Sequence, residues 1–214
     1  MVLMKKKKVG IGLLVKYYLY LLVVWTVFRF GFSFDEQVEE MIVKPFLWLL
    51  PLFFVWLRDS RQVRFFEGNW LKAVMYGLLM GVFYGVAIYI AGTRRIGWLF
   101  GFSLGEVTVL SGLVFLSTSI VEELVFSGFI FGKLHQTSKR LWQSAMTTGL
   151  LFSVIHIPIG LFVYDYQLNV LLGFLGVIAL VGMANAWLMG VTRNVLAPIA
   201  AHWMWSMAVL AFLA

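Results

Sequence analysis

Two adjacent glutamates, Glu122 and Glu123, lie inside an apolar stretch that runs over residues 106–131. An ionised carboxylate is costly in the hydrocarbon region of a membrane, so such side chains mostly face a protein interior or a water-filled cavity. Two of the three histidines, His156 and His202, also lie within apolar stretches. Carboxylates and imidazoles on three separate apolar segments indicate a site of acid–base chemistry.

The same residues also have a simpler, structural interpretation. One Glu could be protonated in the core while the other pairs with Lys133 or Arg140, and a lone His on an apolar face is usually a hydrogen-bonded core residue. The third histidine, His135, lies in a basic linker, where we expect a solvated side chain.

The composition is that of a membrane protein. Of 214 residues, 62% are hydrophobic and 13% are charged, whereas about a quarter are charged in a soluble domain. We therefore predict an all-α, polytopic helix bundle that forms one membrane domain over residues 1–214, with the site residues in 106–214. Seven transmembrane helices are predicted, at about 9–30, 46–57, 73–91, 106–131, 141–163, 168–190 and 195–214. Gly77, Gly81 and Gly85 predict close helix packing of the third span.

Lys and Arg residues cluster at alternate ends of these spans. Because positive residues favour the cytoplasmic side, they predict a cytoplasmic N-terminus and a multi-pass protein of the cell membrane, with loops short enough for a bacterial plasma-membrane protein. Arg94 and Arg95 depart from this pattern. The net charge of +7 comes from these clusters, so it predicts no nucleic-acid partner. The basic side contains Lys5–Lys8 and residues 58–72, 133–140 and 193; the acidic segment 35–40 and residues 164–167 are opposite.

The residue types suit the hydrolysis of an amide, and the chain contains no Cys that could act instead. A carboxylate in an apolar pocket is a stronger base than one in water, so Glu122 could take a proton from a water molecule with the help of His156. His202 and Ser206, one helical turn apart, could donate hydrogen bonds to the oxyanion of a tetrahedral intermediate. We expect these residues to share a cavity open to the cytoplasm.

Zinc is the chemistry that competes with this interpretation. One Glu and two His form a known catalytic ligand set, which would here be Glu122, His156 and His202. The usual HExxH motif on one helix is absent from the sequence. We therefore expect no metal cofactor and rank zinc second.

Three short motifs follow one another on successive apolar segments: EExxxxG at 122–128, FxxxH at 152–156 and HxxxS at 202–206. This ordered set resembles the CAAX protease and bacteriocin-processing family of intramembrane proteases. The resemblance covers residues 106–214. It implies a glutamate-type peptidase, often labelled a metalloprotease, that cleaves a peptide or protein substrate at the lipid bilayer.

The resemblance also implies a role for each site residue. Glu122 would activate the water with His156, Glu123 would support the site, and His202 with Ser206 would stabilise the oxyanion. The Arg that usually stands five residues after the first Glu is Ser127 here, and the Asn that usually closes the third motif is Ser206. Without that Arg, we expect Glu123 to be protonated or paired elsewhere.

The sequence is also compatible with two other functions. The two serine substitutions are compatible with a catalytically degenerate relative that acts as a membrane scaffold, a regulator or a bacteriocin-immunity factor. A proton-coupled transporter could also use Glu and His as a relay.

Overall fold

The computed structural model describes residues 11–58, 65–96 and 107–213 and is helical throughout, apart from turns and one isolated bridge between Phe66 and Asn194. Two π-helical segments, Glu39–Val43 and Leu124–Ile130, connect α-helices. The α-helices are α1 Ile11–Gly31, α2 Glu36–Val38, α3 Lys44–Arg58, α4 Trp70–Ile96, α5 Val109–Glu123, α6 Phe131–Ser138, α7 Leu141–Val154, α8 Ile157–Phe162, α9 Leu168–Thr192 and α10 Leu196–Leu213.

Several of these helices are long and apolar enough to cross a membrane, which confirms the all-α fold and the multi-pass character. The predicted second span corresponds to α3, which has only 15 residues and contains Pro51, and the apolar part of α10 is also short. Seven spans and a cytoplasmic N-terminus therefore stay predictions; Lys5–Lys8, on which the orientation depends, lie outside the described residues. Within residues 11–58, 65–96 and 107–213, the five candidate spans are Ile11–Gly31, Trp70–Gly92, Val109–Ser138, Leu141–Phe162 and Leu168–Thr192.

Small residues allow α4 and α10 to approach closely. A Cβ added to Gly77 would lie 2.4 Å from the carbonyl oxygen of Ala197, and one added to Gly81 would lie 2.5 Å from the Cβ of Met204. Both distances are far below van der Waals contact, so larger residues would push the two helices apart. The predicted close packing is confirmed for Gly77 and Gly81, which fix α10, the helix that carries His202, against α4. A Cβ added to Gly85 would make only an ordinary contact, 3.8 Å from the Cβ of Ala208.

Aromatic side chains hold α1 and α3 against the helix that carries the glutamates. The Tyr17 hydroxyl of α1 donates to the carbonyl oxygen of Trp48 in α3, at 2.7 Å. The Tyr17 ring packs edge-on against Phe129, with 5.3 Å between the ring centroids, and Trp48 packs against Phe126. All four side chains are buried. This packing brings the N-terminal end of α3 next to the end of α5.

A helix break places His156. α7 ends at Val154 and α8 begins at Ile157, with His156 as the residue before α8. Pro158 has no N–H to donate to the carbonyl of Val154, which accounts for the break. The backbone N–H of His156 instead donates to the carbonyl oxygen of Ser153, at 3.0 Å.

Candidate active site

The two predicted glutamates end α5, immediately before the π-helical segment Leu124–Ile130. Glu122 and Glu123 are 3% and 2% exposed. A π-helical turn contains an extra residue, and such turns are frequent at functional sites because they change the direction in which side chains project. Here the adjacent carboxylates contact different groups.

Glu123 is held by three hydrogen-bond donors. Ser127, one turn later, donates from its hydroxyl to Oε2. The amide nitrogen Nδ2 of Asn185 in α9 donates to Oε1 at 2.7 Å, and Nδ1 of His202 in α10 lies 2.8 Å from the same oxygen. Because the Asn nitrogen can only donate, Oε1 of Glu123 is the acceptor in this contact. Without an Arg at position 127, the sequence predicts that Glu123 is either protonated or paired elsewhere. These contacts show that it is paired elsewhere.

Asn185 connects this group to α4. Its Oδ1 accepts a hydrogen bond from the Tyr84 hydroxyl at 2.9 Å, and both side chains are buried. Asn185 is a polar residue within the long apolar helix α9, but no sequence spacing relates it to Tyr84, which is 101 residues earlier.

His202 lies between the two carboxylates. Its Nδ1 contacts Glu123, and its Nε2 is 3.7 Å from Oε2 of Glu122. The latter distance exceeds that of a hydrogen bond and is one at which a water molecule can bridge two polar groups. The Phe152 ring packs edge-on against the imidazole, with 5.9 Å between centroids. His202 is therefore fixed on one side and presents Nε2 towards Glu122.

Glu122 has a partner that the sequence did not reveal. Nζ of Lys44, the first residue of α3, donates to Oε1 of Glu122 at 2.7 Å. The same ammonium group donates to Oε2 of Glu40, one helical turn earlier. The Glu40–Lys44 spacing of four residues is a signal for an ion pair on one helix face, but it does not predict the contact with Glu122.

The charged network continues to α1. Arg29 contacts Oε1 of Glu40 at 3.3 Å and also pairs with Glu39, and its guanidinium carbon lies 4.4 Å from the centroid of Trp25. Arg29, Glu39 and Glu40 are all buried. The acidic segment, which the sequence placed on the side opposite the basic clusters, is thus partly inside the bundle, because two buried cations compensate its carboxylates.

His156 is near the other site residues without a direct hydrogen bond to them among the described residues. Its Nδ1 is 2.7 Å from the carbonyl oxygen of Phe152, which leaves Nε2 for another partner. The half-buried imidazole lies within electrostatic range of Glu122 and His202. The structure therefore brings His156 to the periphery of the site.

Within the described part of the chain, Ser206 likewise has no hydrogen bond to the other predicted site residues. It is half-buried and lies one turn after His202 in α10. The sequence predicted its position on the helix correctly, whereas its proposed hydrogen bond to an oxyanion stays a prediction.

Residues 104–208 match the family model described as type II CAAX prenyl endopeptidase, Rce1-like. The chain belongs to the CAAX protease and bacteriocin-processing family. Searches of curated proteins and of solved structures return no match. The matched range contains every predicted site residue, but Lys44 and Tyr84 lie outside it. Membership in this protease family suggests an intramembrane endopeptidase with a peptide substrate.

The arrangement in this member of the CAAX protease and bacteriocin-processing family does not fit a zinc ion. Among the described residues, no three His, Asp or Glu side chains are grouped so that they could hold a metal. The Lys44 ammonium occupies Oε1 of Glu122 and places a positive charge where a cation would bind.

A cavity of about 600 Å³ opens at the end of the bundle where α1 ends, and it reaches the buried charged residues Arg29, Glu39 and Glu40. Glu40, the partner of Lys44, lines it, as does Ile159, three residues after His156. Burial and the nearby Glu40 raise the pKa of Glu36 in its wall. The cavity lies at the end of α1 opposite the N-terminus. An entrance here therefore opens to the side of the membrane opposite the N-terminus, so a cytoplasmic N-terminus and a cavity open to the cytoplasm exclude each other. The lining residues are Arg29, Phe30, Gly31, Phe32, Ser33, Phe34, Glu36, Glu39, Glu40, Ile159, Phe162, Val163 and Tyr164.

Proposed function

We propose that this protein is an intramembrane endopeptidase of the glutamate type, in which Glu122 activates the attacking water without a metal ion. The observation that carries the proposal is the approach of Glu122 Oε2 to His202 Nε2 at 3.7 Å, in a buried site that Glu123 organises. A carboxylate and an imidazole that face one point can deprotonate a water and bind the oxyanion that its attack creates.

The reaction proceeds in two steps. The water oxygen attacks the carbonyl carbon of the scissile peptide bond while its proton moves to Glu122 Oε2, which gives a tetrahedral oxyanion. The carbon–nitrogen bond then breaks as the leaving nitrogen takes that proton from Glu122, and the products are a carboxylic acid and an amine. His156, through its free Nε2, helps to orient the water.

Glu123 acts through His202. A carboxylate that accepts a hydrogen bond from Nδ1 favours the protonated imidazole, whose Nε2–H can donate to the oxyanion. Ser206, one turn further along α10, would be a second donor if the bound substrate extends that far.

The Ser127 substitution does not weaken this proposal. Its hydroxyl donates to Glu123, so the position where the family usually has Arg still supports the same carboxylate. A scaffold or immunity factor would not need Glu122, Glu123 and His202 in a single buried group, so we favour the enzyme over the degenerate relative.

The substrate is a peptide or a protein terminus that reaches the site at the membrane of the cell, which we expect to be a bacterial plasma membrane. We propose that it enters through the 600 Å³ cavity. Because the chain has no Cys, a single Cys in place of Ser33, in the cavity wall, can be labelled with a membrane-impermeant maleimide. We expect labelling from the face opposite the N-terminus; labelling from the N-terminal face alone would contradict this route.

The proposed reaction is tested with purified protein in liposomes and a library of internally quenched peptides. We expect the wild type to cleave some of these peptides, with or without a strong chelator, and Glu122→Gln to lower the rate about 10²–10⁴-fold, because the amide keeps the shape of the side chain but cannot act as a base. Equal cleavage by the variant and the wild type would refute Glu122 as the base, and loss on chelation would indicate a metal.

A further inference from the structure

Lys44 is a buried cation that contacts the proposed base, although it lies 60 residues before the part of the chain that matches the family model. It is 4% exposed. Its ammonium group donates to Oε1 of Glu122 at 2.7 Å and to Oε2 of Glu40. An unpaired ammonium is costly inside a protein, so two carboxylates explain how Lys44 is tolerated, but they do not explain why one of them is Glu122.

The surroundings of Lys44 fix its position from behind. Glu40 Oε2 also accepts a hydrogen bond from the Thr118 hydroxyl, at 2.8 Å, so this carboxylate is tied to α5 one turn before Glu122. The indole rings of Trp25 and Trp48 lie 5.4 and 5.5 Å from the ammonium nitrogen, close enough for cation–π attraction. Carboxylates and aromatic faces therefore surround the ammonium, and a substrate has no direct access to it.

The contact with Lys44 differentiates the two oxygens of Glu122. Oε1 is held by the ammonium, whereas Oε2 is directed towards Nε2 of His202. Without this contact the carboxylate could rotate about its terminal bond, which has a broad, roughly two-fold torsional preference. A base that samples several orientations spends less time aligned with the water, and misplacement by about 1 Å can cost 10²-fold in rate.

We propose that Lys44 is a positioning residue for the peptidase reaction: it holds Oε1 of Glu122 so that Oε2 faces His202 and the attacking water. This inference rests on the proposed function. It extends the active site to α3 and assigns the N-terminal half of the chain a part in catalysis. Lys44 acts through Glu122 and does not touch the substrate.

The test compares four variants in the liposome assay, on a quenched peptide that the wild type cleaves. Lys44→Met removes the charge and keeps the length, and Lys44→Arg keeps the charge. The double variant Glu40→Gln/Lys44→Met removes one positive and one negative charge. The net charge of the protein is therefore unchanged, while Glu122 still lacks its partner. Lys16→Met, at an exposed position of α1, is the matched control for the loss of a Lys.

We expect the double variant to be folded, with KM within about threefold of the wild type and kcat about 10²-fold lower. Lys44→Arg should recover part of the kcat that Lys44→Met loses, and Lys16→Met should leave both constants unchanged. A double variant with wild-type kcat would overturn the inference, because Lys44 would then only balance Glu40. So would a rise in KM with kcat unchanged, which would indicate substrate binding. A wild type that cleaves no peptide would instead refute the proposed function.

Discussion

Glu122 and Glu123 are neighbours in sequence, but they contact different parts of the chain. Glu123 is held by Ser127, Asn185 and His202, all within the range that matches the protease family. The direct partner of Glu122 at hydrogen-bonding distance is Lys44, from the part of the chain before that range. One carboxylate is thus fixed by polar groups from the range that matches the family model, and the other by a cation from α3.

The difference matches two chemical tasks. Both oxygens of Glu123 accept hydrogen bonds, which holds this carboxyl group in place so that it orients His202. Among the described residues, a strong donor holds Oε1 of Glu122 and none holds Oε2, and a base needs a free oxygen to receive a proton. Loss of a Glu123 partner should therefore mainly reduce stability, whereas loss of a Glu122 partner should mainly reduce the rate.

The largest effect on stability is expected for Glu123→Ala. The change leaves the Asn185 amide and the His202 imidazole without their common acceptor inside the bundle, and breaking such a buried pair costs about 3–5 kcal/mol. The free energy of unfolding can be measured by denaturant titration in detergent micelles. Glu122→Gln is the matched control, because Lys44 keeps its contact with Glu40; an equal loss in both variants would remove the proposed distinction.

A smaller effect is expected for Asn185→Leu. The substitution removes one donor to Glu123 and leaves the buried Tyr84 hydroxyl without an acceptor, which should lower the free energy of unfolding by about 1–3 kcal/mol. Tyr84→Phe removes only the outer hydrogen bond of this chain and should cost about 1 kcal/mol. The same unfolding measurement should show a larger loss of free energy for Asn185→Leu than for Tyr84→Phe. A larger loss for Tyr84→Phe would show that Asn185 does not link α4 to Glu123.

The smallest effect is expected on the Glu122 side, for Thr118→Val. The variant removes one hydrogen bond to Glu40, which is two contacts away from the base, and should lower kcat about two- to threefold, equivalent to about 0.5 kcal/mol. Steady-state cleavage of a quenched peptide measures this change. Ser119→Ala, one residue later, is the control, because the Ser119 hydroxyl donates to the carbonyl of Phe115 in its own helix. An equal or larger loss in the control would separate Thr118 from the charged network.

Much of the fold could be predicted because apolar length and glycine spacing are local signals. The spans that contain the two glutamates and His156 are long enough to cross a membrane, whereas the helix that carries His202 is shorter; Gly77 and Gly81 pack as their spacing indicated. The count of seven could not be derived in this way. Residues 46–57 are as apolar as a membrane span, but they form part of a helix of only 15 residues. The sequence does not determine whether so short a helix, with charged residues at both ends, crosses the membrane.

The site could be predicted only in part, for the same physical reason. A Glu, His or Asn in an apolar helix is visible in the sequence because its burial needs an explanation. Lys44, Arg29 and Glu40 are adjacent to apolar segments, where charged residues usually face water or lipid headgroups. They can be buried because their opposite charges compensate one another, and the paired residues are 10 to 78 positions apart in the sequence. No local pattern encodes such pairs.

The central claim is that α3 brings Lys44 to Glu122, and cross-linking tests it without any assay of activity. The chain has no Cys, so Lys44→Cys/Glu122→Cys can be bridged by a short bis-methanethiosulfonate reagent, with a protease site inserted between residues 96 and 107 to separate the halves. Tyr84→Cys/Asn185→Cys is the positive control and Lys16→Cys/Glu122→Cys the negative one. We predict that the halves of the first pair remain linked after proteolysis, as in the positive control. Their separation, with the positive control intact, would contradict an active site that is shared between the two halves of the chain.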